Sequence, residues 1–451
     1  MAGVVAGDRV ESMKKGFYTI MAAQFFSSLA DNALLIVAIA LLTEMLAPAW
    51  MTPLLKLFFV LSYVLLAAFV GAFADSMPKG RVMLITNAIK IGGCSIMLFG
   101  SHPLIAYGVV GLGAAAYSPA KYGILTELLP PEKLVAANGW IEGLTVGSII
   151  LGTVLGGALI SHKVSQMLLG MDVPFIDLGV ESPTEAAMMV IMLCYLIAAI
   201  FNLFIPDTGA RYPAQEKNPF RLISEFADCC STLWRDKVGQ ISLAVTTLFW
   251  GAGATLQFIV LKWAEQSLQL NLSQGALLQA VVAVGVAAGA ILAAMRVPLK
   301  RSLSVLPYGV AMGLLVMLMA FYTRDTLPHV VFQIGNMQMS LAMLMAYLFL
   351  MLLGGLSGYF VVPMNALLQH RGHVLLSAGH SIAVQNFNEN ISVLVMLCLY
   401  ALLIRFDVPV SIVIIAFGTF VCVTMLLVMQ KHRINQREFD SVALIAEDKH
   451  H

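Results

Sequence analysis

Hydrophobic runs with few charges recur along the whole chain and are separated by short polar segments. Each run has about the length of 20 residues that a helix needs to cross a bilayer, and a helix satisfies its own backbone hydrogen bonds in lipid. The pattern therefore predicts twelve transmembrane spans. They lie within residues 15–44, 57–74, 82–100, 103–120, 134–161, 186–206, 238–261, 266–295, 302–323, 330–369, 374–404 and 408–430.

Lysine and arginine residues are distributed unevenly between the two sides of these spans. Of the 26, 20 lie in segments that would face one side and five in segments that would face the other, while Lys90 lies within a span. Loops rich in Lys and Arg remain in the cytoplasm. Because an even number of spans returns the chain to the side where it began, we expect both termini in the cytoplasm.

The longest charged stretch between two spans runs from residue 210 to 236 and divides the chain. It predicts a six-helix half over residues 1–209, a cytoplasmic linker over 210–237, a second half over 238–433 and a cytoplasmic tail over 434–451, whose polar end from residue 438 onwards is expected to lack regular structure. A weak repeat agrees with this division, because Pro119 ends span four and Pro363 ends span ten, each before a similar short motif. The copies run in the same direction, as in transporters built from parallel repeats.

Composition excludes several classes of protein. The chain is 59% hydrophobic and 11% charged, whereas soluble domains carry about 25% charged residues, so it is an integral membrane protein. The net charge of +1 predicts no nucleic-acid partner. Neither the six cysteines nor the nine histidines show metal-site spacing, and motifs for phosphate binding or hydrolysis are absent. We predict no enzyme activity, catalytic residue, cofactor or metal site.

The sharpest local motif lies between spans two and three, where Gly71 is followed by Asp75, Lys79 and Arg81. The small glycine permits close helix packing, and the Asp75 carboxylate can accept hydrogen bonds from a cationic side chain or a helix N-terminus. We interpret Asp75, Lys79 and Arg81 as a gate that latches the cytoplasmic side. The alternative is an ordinary positively charged cytoplasmic loop.

Ionisable residues within the spans are a second candidate site, because a charge at the bilayer centre costs at least about 2.5 kcal/mol. Asp31 and Glu389 each lie near the middle of a span, with the amides Asn32 and Gln385 beside them. Lys121 lies towards the inner end of span four. Four ionisable groups, the fourth being Glu142 in the inner half of span five, suggest a water-lined cavity. The alternative is static ion pairs that fix helix packing.

Several segments resemble the bacterial lysophospholipid transporters of the major facilitator superfamily, and the similarity extends from about Gly16 to Arg433. The motif from Gly71 to Arg81 is shared widely in the superfamily, whereas Asp31-Asn32 and the segment from Tyr117 to Gly123 are specific to this branch. The similar segments are Gln24–Leu35, Ala72–Met83, Gly113–Leu125, Ser231–Arg235, Leu248–Gly253, Val361–Gln369 and Ile382–Asn386.

The resemblance implies the major facilitator fold and a flippase of the bacterial inner membrane. Such a protein moves lysophosphatidylethanolamine and related lysolipids to the cytoplasmic leaflet by alternating access, where an acyltransferase partner rebuilds the diacyl lipid. Its partners would be the lysolipid substrate and membrane lipid, and we expect a monomer. Asp31, Lys121 and Glu389 match polar positions of the family's translocation path, and we place Glu142 with the gate.

One segment departs from the family pattern. The resemblance implies an arginine in the segment corresponding to residues 255–258, where this chain has Gln257 and, further along, Lys262. Either Lys262 supplies a cation nearer the outer surface, or this gate is neutral.

A zwitterionic lysolipid headgroup requires a cation for its phosphate and an acceptor for its ammonium. Lys121 with Gln257 fits the first requirement, and Asp31 with Glu389 fits the second. The predicted substrate-binding set is completed by Asn32, Tyr117 and Gln385. Since each buried CH₂ of the acyl chain is worth about 0.8 kcal/mol, we expect a lateral opening that leaves the tail in lipid.

Two other classes of function remain open on the sequence alone. The first is a proton-coupled major facilitator exporter of hydrophobic cations or small solutes, in which Asp31 or Glu389 would carry the proton. The second is a structural or receptor membrane protein that moves no solute.

Overall fold

The computed structural model describes residues 2–47, 51–170, 181–270, 272–334 and 337–446, which form fifteen α-helices. The first eight helices precede the predicted linker. They are α1 (Ala2–Glu44), α2 (Met51–Leu65), α3 (Ala67–Asp75), α4 (Lys79–Leu98), α5 (Pro103–Leu128), α6 (Leu134–Ile160), α7 (His162–Leu169) and α8 (Pro183–Leu203).

The remaining helices are α9 (Pro219–Arg235), α10 (Gly239–Ser267), α11 (Leu272–Arg296), α12 (Leu306–Met319), α13 (Leu341–Leu375), α14 (Ala378–Arg405) and α15 (Val410–Glu438). Short 3₁₀ helices cover Pro131–Lys133, Leu299–Val305 and Ser441–Ala446. An antiparallel hairpin of β1 (Val331–Ile334) and β2 (Met337–Ser340), in the register Val331 to Ser340, precedes α13. The hairpin was not predicted, because the hydropathy pattern reports the length of an apolar run and not a short strand pair outside it.

Eleven helices in the described residues are long and apolar enough to cross a membrane. A twelfth span is counted when the pair Leu54–Leu65 and Ala67–Asp75, which is bent by 65°, is taken as one. The prediction of an all-α polytopic membrane protein is therefore confirmed, and the predicted second span corresponds to this bent helix pair.

Two prolines do not end their helices, which corrects the sequence interpretation. Pro119 lies inside α5 and Pro363 inside α13, and both helices continue to Leu128 and Leu375 respectively. A proline removes one backbone donor, but helices packed inside a membrane protein tolerate this because neighbouring groups satisfy the freed carbonyl. The repeat survives the correction, since each proline occupies the corresponding helix of its half.

The chain folds as two compact units. The first consists of Met1–Pro130, Gly147–Cys230 and Leu376–Phe387. In it α1 packs against α8, α2 packs against α5, and α4 packs against both α5 and α8. Its core is formed by small and aliphatic side chains around the fully buried Tyr195.

The second unit consists of Pro131–Val146, Ser231–Leu375 and Asn388–His451. Within it α11 packs against α13, α12 packs against both α13 and α15, and α10 packs against α15. These are the helix pairs expected from the first unit if the same arrangement is repeated in the same chain direction. The described part of the structure thus contains the repeat that the sequence indicated.

The compact units do not follow the boundaries predicted around the linker at 210–237. Residues 131–146 of α6 belong to the second unit, and residues 376–387 of α14 belong to the first. Glycines at both places bring helices close: Gly139 lies against Ala290 and Ala294, and Gly71 against His380 and Ala383. Small residues permit such close contacts between helices.

The chain end corrects a second expectation. Helix α15 continues to Glu438, and the 3₁₀ turn that follows it is packed, with Ile445 only 2% exposed. Arg371 donates a hydrogen bond to the backbone carbonyl of Leu444 at 3.3 Å. The part of the predicted tail up to residue 446 is therefore ordered, because the Ile445 side chain is buried and the Leu444 carbonyl accepts a hydrogen bond. Residues 447–451 lie outside the described residues.

Candidate functional site

A cluster of polar side chains is buried among the apolar helices of the first unit. The Asp31 carboxylate of α1 accepts a hydrogen bond from Lys90 Nζ of α4 at 2.7 Å and one from the Tyr195 hydroxyl of α8 at 2.7 Å. The Tyr107 hydroxyl of α5 donates to the Asp31 backbone carbonyl at 3.2 Å. The pair is deeply placed, since the Lys90 side chain is 2% exposed and the Asp31 side chain 15%.

The same cluster extends from Lys90 to two further residues. Lys90 Nζ donates to Ser27 Oγ at 2.9 Å, and Ser27 Oγ donates to Asn87 Oδ1 at 2.8 Å. The ammonium also lies 5.0 Å from the centre of the Tyr117 ring, which is the geometry of a cation–π contact. We call this group the Asp31 cluster: Ser27, Asp31, Asn87, Lys90, Tyr107, Tyr117 and Tyr195.

Three more predicted residues, Lys121, Gln385 and Glu389, are buried. Lys121 Nζ lies 4.1 Å from the centre of the Tyr122 ring. Gln385 and Glu389 lie one turn apart on α14. An exposure of 8% for both Lys121 and Glu389 is unusual for charged side chains, which are almost never fully buried unless paired.

The remaining predicted binding residues make local contacts. The Asn32 side chain donates to the Ser28 carbonyl one turn earlier in α1, at 2.8 Å. Gln257 is exposed, and its backbone carbonyl accepts a hydrogen bond from the Gln279 side chain at 2.6 Å. Lys262 lies 3.5 Å from Glu265 within the same helix.

A second polar cluster lies where α3 ends, α4 begins and α14 begins. The buried Asp75 carboxylate accepts hydrogen bonds from Lys79 Nζ at 2.5 Å, from the Gly379 backbone N–H at 3.0 Å and from the Ser377 hydroxyl. Its second oxygen lies 2.8 Å from His380 Nδ1. Gly379 is in the first turn of α14. Asp75 therefore accepts a hydrogen bond from a helix N-terminus, which is the contact that the sequence interpretation proposed for it.

Lys79 connects this carboxylate to a second acidic residue. Its ammonium lies 3.5 Å from Glu127 of α5 and also donates to the Ala74 carbonyl at 2.8 Å. Glu127 in turn accepts from the Thr208 and Tyr212 hydroxyls, both at 2.8 Å. We call Asp75, Lys79, Glu127, Ser377 and His380 the Asp75 cluster.

Of the other two predicted gate residues, Arg81 does not belong to the Asp75 cluster. Arg81 is exposed, and the charge it carries acts on Asp207 instead of Asp75. Hydrogen bonds from Arg211, assisted by the Gly209 N–H and by the Arg81 charge, hold the pKa of Asp207 at about 2. The side chain of Glu142 lies outside the described residues.

A surface cleft of about 570 Å³ opens beside the Asp75 cluster. It is lined by the linker from Tyr212 to Lys217, by Glu225, and by Ser377 and His380. Burial, together with the neighbouring Glu127 carboxylate, raises the pKa of Tyr212 far above its ordinary value, so its hydroxyl remains protonated. The cleft gives solvent a path to His380, which is 13% exposed, while the Asp75 side chain is fully buried.

Sequence reasoning missed Lys90, Tyr195, Ser377 and His380. Lys90 carried a usable signal, because a lysine inside a span requires a counterion and Asp31 is one of few acids at membrane depth. The other three carried none: a tyrosine, a serine or a histidine near a helix end is common, and only the fold brings them to a carboxylate.

Comparison with known proteins identifies the family of this chain. The model of the Major Facilitator Superfamily matches residues 20–395. The chain belongs to the major facilitator superfamily. It is a multi-pass membrane protein of a family of transporters, and its relatives are not enzymes.

Similar members of the superfamily include two curated bacterial proteins. The chain is 42% identical over 399 residues, or 88% of its length and 89% of the relative's, to the lysophospholipid transporter LplT of Yersinia enterocolitica. It is 41% identical, over the same shares of both chains, to the lysophospholipid transporter LplT of Yersinia pestis.

Solved structures of superfamily members share the fold. The transporter FucP in its outward conformation has a TM-score of 0.67 at 13% identity, covering 94% of this chain and 99% of that one. The human organic anion transporter MFSD10 has a TM-score of 0.64 at 15% identity, covering 94% and 99%. At such low identities these structures establish the fold alone.

Proposed function

We propose that this chain transports lysophospholipids across the bacterial inner membrane. The observation that carries the proposal is the 42% identity, over 88% of the chain, to a protein named as a lysophospholipid transporter. The polar Asp31 cluster within apolar helices supports it, because buried charges at membrane depth mark substrate or ion pathways.

The direction and the setting are part of the proposal. Lysolipids of the lysophosphatidylethanolamine type are moved to the cytoplasmic leaflet, where an acyltransferase partner restores the second acyl chain. Both termini face the cytoplasm, in agreement with the Lys and Arg distribution, and the transporter acts as a monomer. The acyl tail remains in lipid during the passage, because withdrawing it costs about 0.8 kcal/mol per CH₂.

Alternating access requires contacts that form and break at one face of the protein. The Asp75 cluster supports this role, since it ties α3 and α4 to the first turn of α14 through charged and neutral hydrogen bonds. Opening towards the cytoplasm then requires the Asp75 carboxylate to release Gly379, Ser377 and His380. Asp75 and Lys79 are the gate residues of this proposal, while Arg81 and Glu142 remain predicted members.

Headgroup recognition is assigned to the polar residues that the sequence predicted. In this assignment Lys121 and Gln257 serve the phosphate and Asp31 and Glu389 the ammonium, with Asn32, Tyr117 and Gln385 as neutral partners. The Lys90 contact changes one part of this assignment: Asp31 enters the site as half of an ion pair and not as a free anion.

The test is uptake of radiolabelled lysophosphatidylethanolamine by vesicles that contain the purified protein. We expect saturable uptake that is lost in the Asp31→Ala/Glu389→Ala double variant. Arg324→Gln, an exposed loop change, is the control and should transport normally. Absence of uptake by the wild type contradicts the function, and normal uptake by the double variant contradicts the headgroup roles. Export of a hydrophobic cation that collapses when the pH gradient is removed, without any lysolipid uptake, would instead indicate the proton-coupled exporter.

A further inference from the structure

The ammonium of Lys90 has two hydrogen-bond acceptors and an aromatic ring around it. It has three N–H groups; one reaches Asp31 Oδ2, one reaches Ser27 Oγ, and the Tyr117 ring lies over the same nitrogen. The second carboxylate oxygen of Asp31 is already occupied by the Tyr195 hydroxyl. The acceptors within reach of Lys90 are therefore satisfied.

Two buried donors of this cluster have no partner. Neither Asn87 Nδ2 nor the Tyr117 hydroxyl makes a hydrogen bond within the described chain. Asn87 is completely buried and Tyr117 is 3% exposed. A buried donor left without an acceptor is costly, and native proteins satisfy nearly all such groups. Two of them beside a cation indicate that an acceptor-rich group belongs there.

A phosphodiester fits this requirement by charge and by chemistry. It carries one negative charge and several acceptor oxygens, so a single group can take N–H donors, an O–H donor and an ammonium together. Asp31 is the more accessible end of the ion pair, because its side chain retains 15% exposure against 2% for Lys90.

We propose, on the basis of the lysophospholipid function above, that Lys90, Asn87 and Tyr117 form the subsite for the phosphodiester group of the substrate and replace Lys121 and Gln257 in that role. Lys90 exchanges Asp31 for the phosphate when substrate binds, so its charge keeps a counterion in both states, which a buried cation requires. Asp31 keeps Tyr195 and faces the polar end of the headgroup. The ion pair is thus the resting form of a binding site.

A static ion pair that only fixes helix packing is the competing explanation, and a charge swap separates the two. We compare Lys90→Met, Asp31→Asn and the reversed pair Asp31→Lys/Lys90→Asp, each for thermal unfolding and for lysophosphatidylethanolamine uptake. We expect the reversed pair to recover the melting temperature lost in Lys90→Met without recovering uptake, because the cation then lies on the wrong helix. Uptake within twofold of wild type in the reversed pair would overturn the proposal.

Tyr117→Phe is the sharper variant, because it removes only the unpartnered hydroxyl and keeps the ring over Lys90. We expect KM for lysophosphatidylethanolamine to rise about tenfold, with kcat unchanged and the melting temperature of the ligand-free protein equal to or above that of wild type, because an unsatisfied buried hydroxyl is removed. Tyr308→Phe, at a 39% exposed tyrosine of α12, is the matched control and should leave KM unchanged. An unchanged KM in Tyr117→Phe would overturn the subsite.

Competition by a monoacylglycerol with the same acyl chain distinguishes phosphate recognition from tail recognition. This molecule lacks the phosphate, so its inhibition constant should be the same for wild type and for Tyr117→Phe. An equal loss for both ligands would contradict the phosphate assignment. Wild-type protein that moves no lysophosphatidylethanolamine would refute the transport function itself, and the subsite with it, whereas normal wild-type transport with an unaffected variant refutes the subsite alone.

Discussion

The carboxylate of Asp75, at the end of α3, lies 2.8 Å from Nδ1 of His380 in the first turn of α14. The two residues are 305 positions apart in the chain. Ser377 bridges them, because its hydroxyl contacts both the carboxylate and the imidazole. Two segments of distant sequence, the end of α3 and the start of α14, are therefore joined at one buried anion, and the first two predictions concern this junction.

Replacing Asp75 by asparagine should destabilise the protein. The amide removes the charge that Lys79 and Gly379 contact, and it brings an N–H₂ group against these donors. Breaking a buried pair typically costs about 3–5 kcal/mol, so we expect a clear drop in melting temperature and a loss of transport. Thermal unfolding of the purified protein measures the first and vesicle uptake the second.

Asp207→Asn is the control for this change. Asp207 pairs with Arg211 on the surface, at 2.7 Å, with about half of its side chain exposed. Exposed pairs contribute at most about 1 kcal/mol, so the melting temperature should hardly move. Equal changes in melting temperature for the two substitutions would contradict the larger contribution to stability that we expect from the buried Asp75 carboxylate.

Replacing Gly379 by alanine should disrupt the same junction by sterics alone. A Cβ atom there would lie 2.6 Å from Asp75 Oδ1 and 2.7 Å from the Gly71 carbonyl. Gly92→Ala in α4 is the matched control, because no heavy atom lies within 4 Å of its Cβ position. We expect lower thermal stability for Gly379→Ala and an unchanged or slightly higher value for Gly92→Ala, since alanine is the better helix former by about 1 kcal/mol.

Asn138 and Gln369 form a reciprocal pair of amide hydrogen bonds, 2.9 and 3.0 Å long, within the second unit. Both side chains are buried, so Asn138→Leu leaves the Gln369 amide without this partner at a cost of about 1–3 kcal/mol. The double variant Asn138→Leu/Gln369→Leu removes both polar groups. We expect it to be less destabilised than the two single changes added together, as a double-mutant cycle of unfolding would show. Strict additivity would mean that the amides are not coupled.

The thiols of Cys229 and Cys230 on α9 should react slowly with maleimide at neutral pH. Partial burial raises the pKa of both to about 11, and only the thiolate is nucleophilic. At pH 8 about one thiol in a thousand is then ionised, so the labelling rate should rise about tenfold per pH unit from 8 to 10.

A cysteine introduced by Phe220→Cys on the same helix provides the comparison. Phe220 is 82% exposed, so the thiol should have an ordinary pKa of about 8.5 and its labelling rate should level off above that pH. Both measurements use protein in which Cys94, Cys194, Cys398 and Cys422 are replaced by alanine. Identical pH profiles for the native and introduced thiols would contradict the raised pKa.

The membrane-spanning pattern, the class of fold and the loop motif around Asp75 were all predictable from the sequence, because each depends on local composition. An apolar run of sufficient length forms a helix in lipid whatever its neighbours are. The continuation of α5 past Pro119 was not predictable in this way, since it depends on which groups surround the freed carbonyl.

The partners of the charged residues were decided by tertiary structure. The sequence contains Lys90 and Lys121 as cations near membrane depth, and nothing in their spacing says which of them pairs with Asp31. That choice depends on the rotation of α1 and α4 about their own axes, which the packing of each helix against α5 and α8 determines. In the same way, the glycine at position 71 permits a close helix contact, but only the assembled fold places His380 and Ser377 beside Asp75. Hydrophobic patterning therefore determined what crosses the membrane, and long-range packing determined which polar groups meet there.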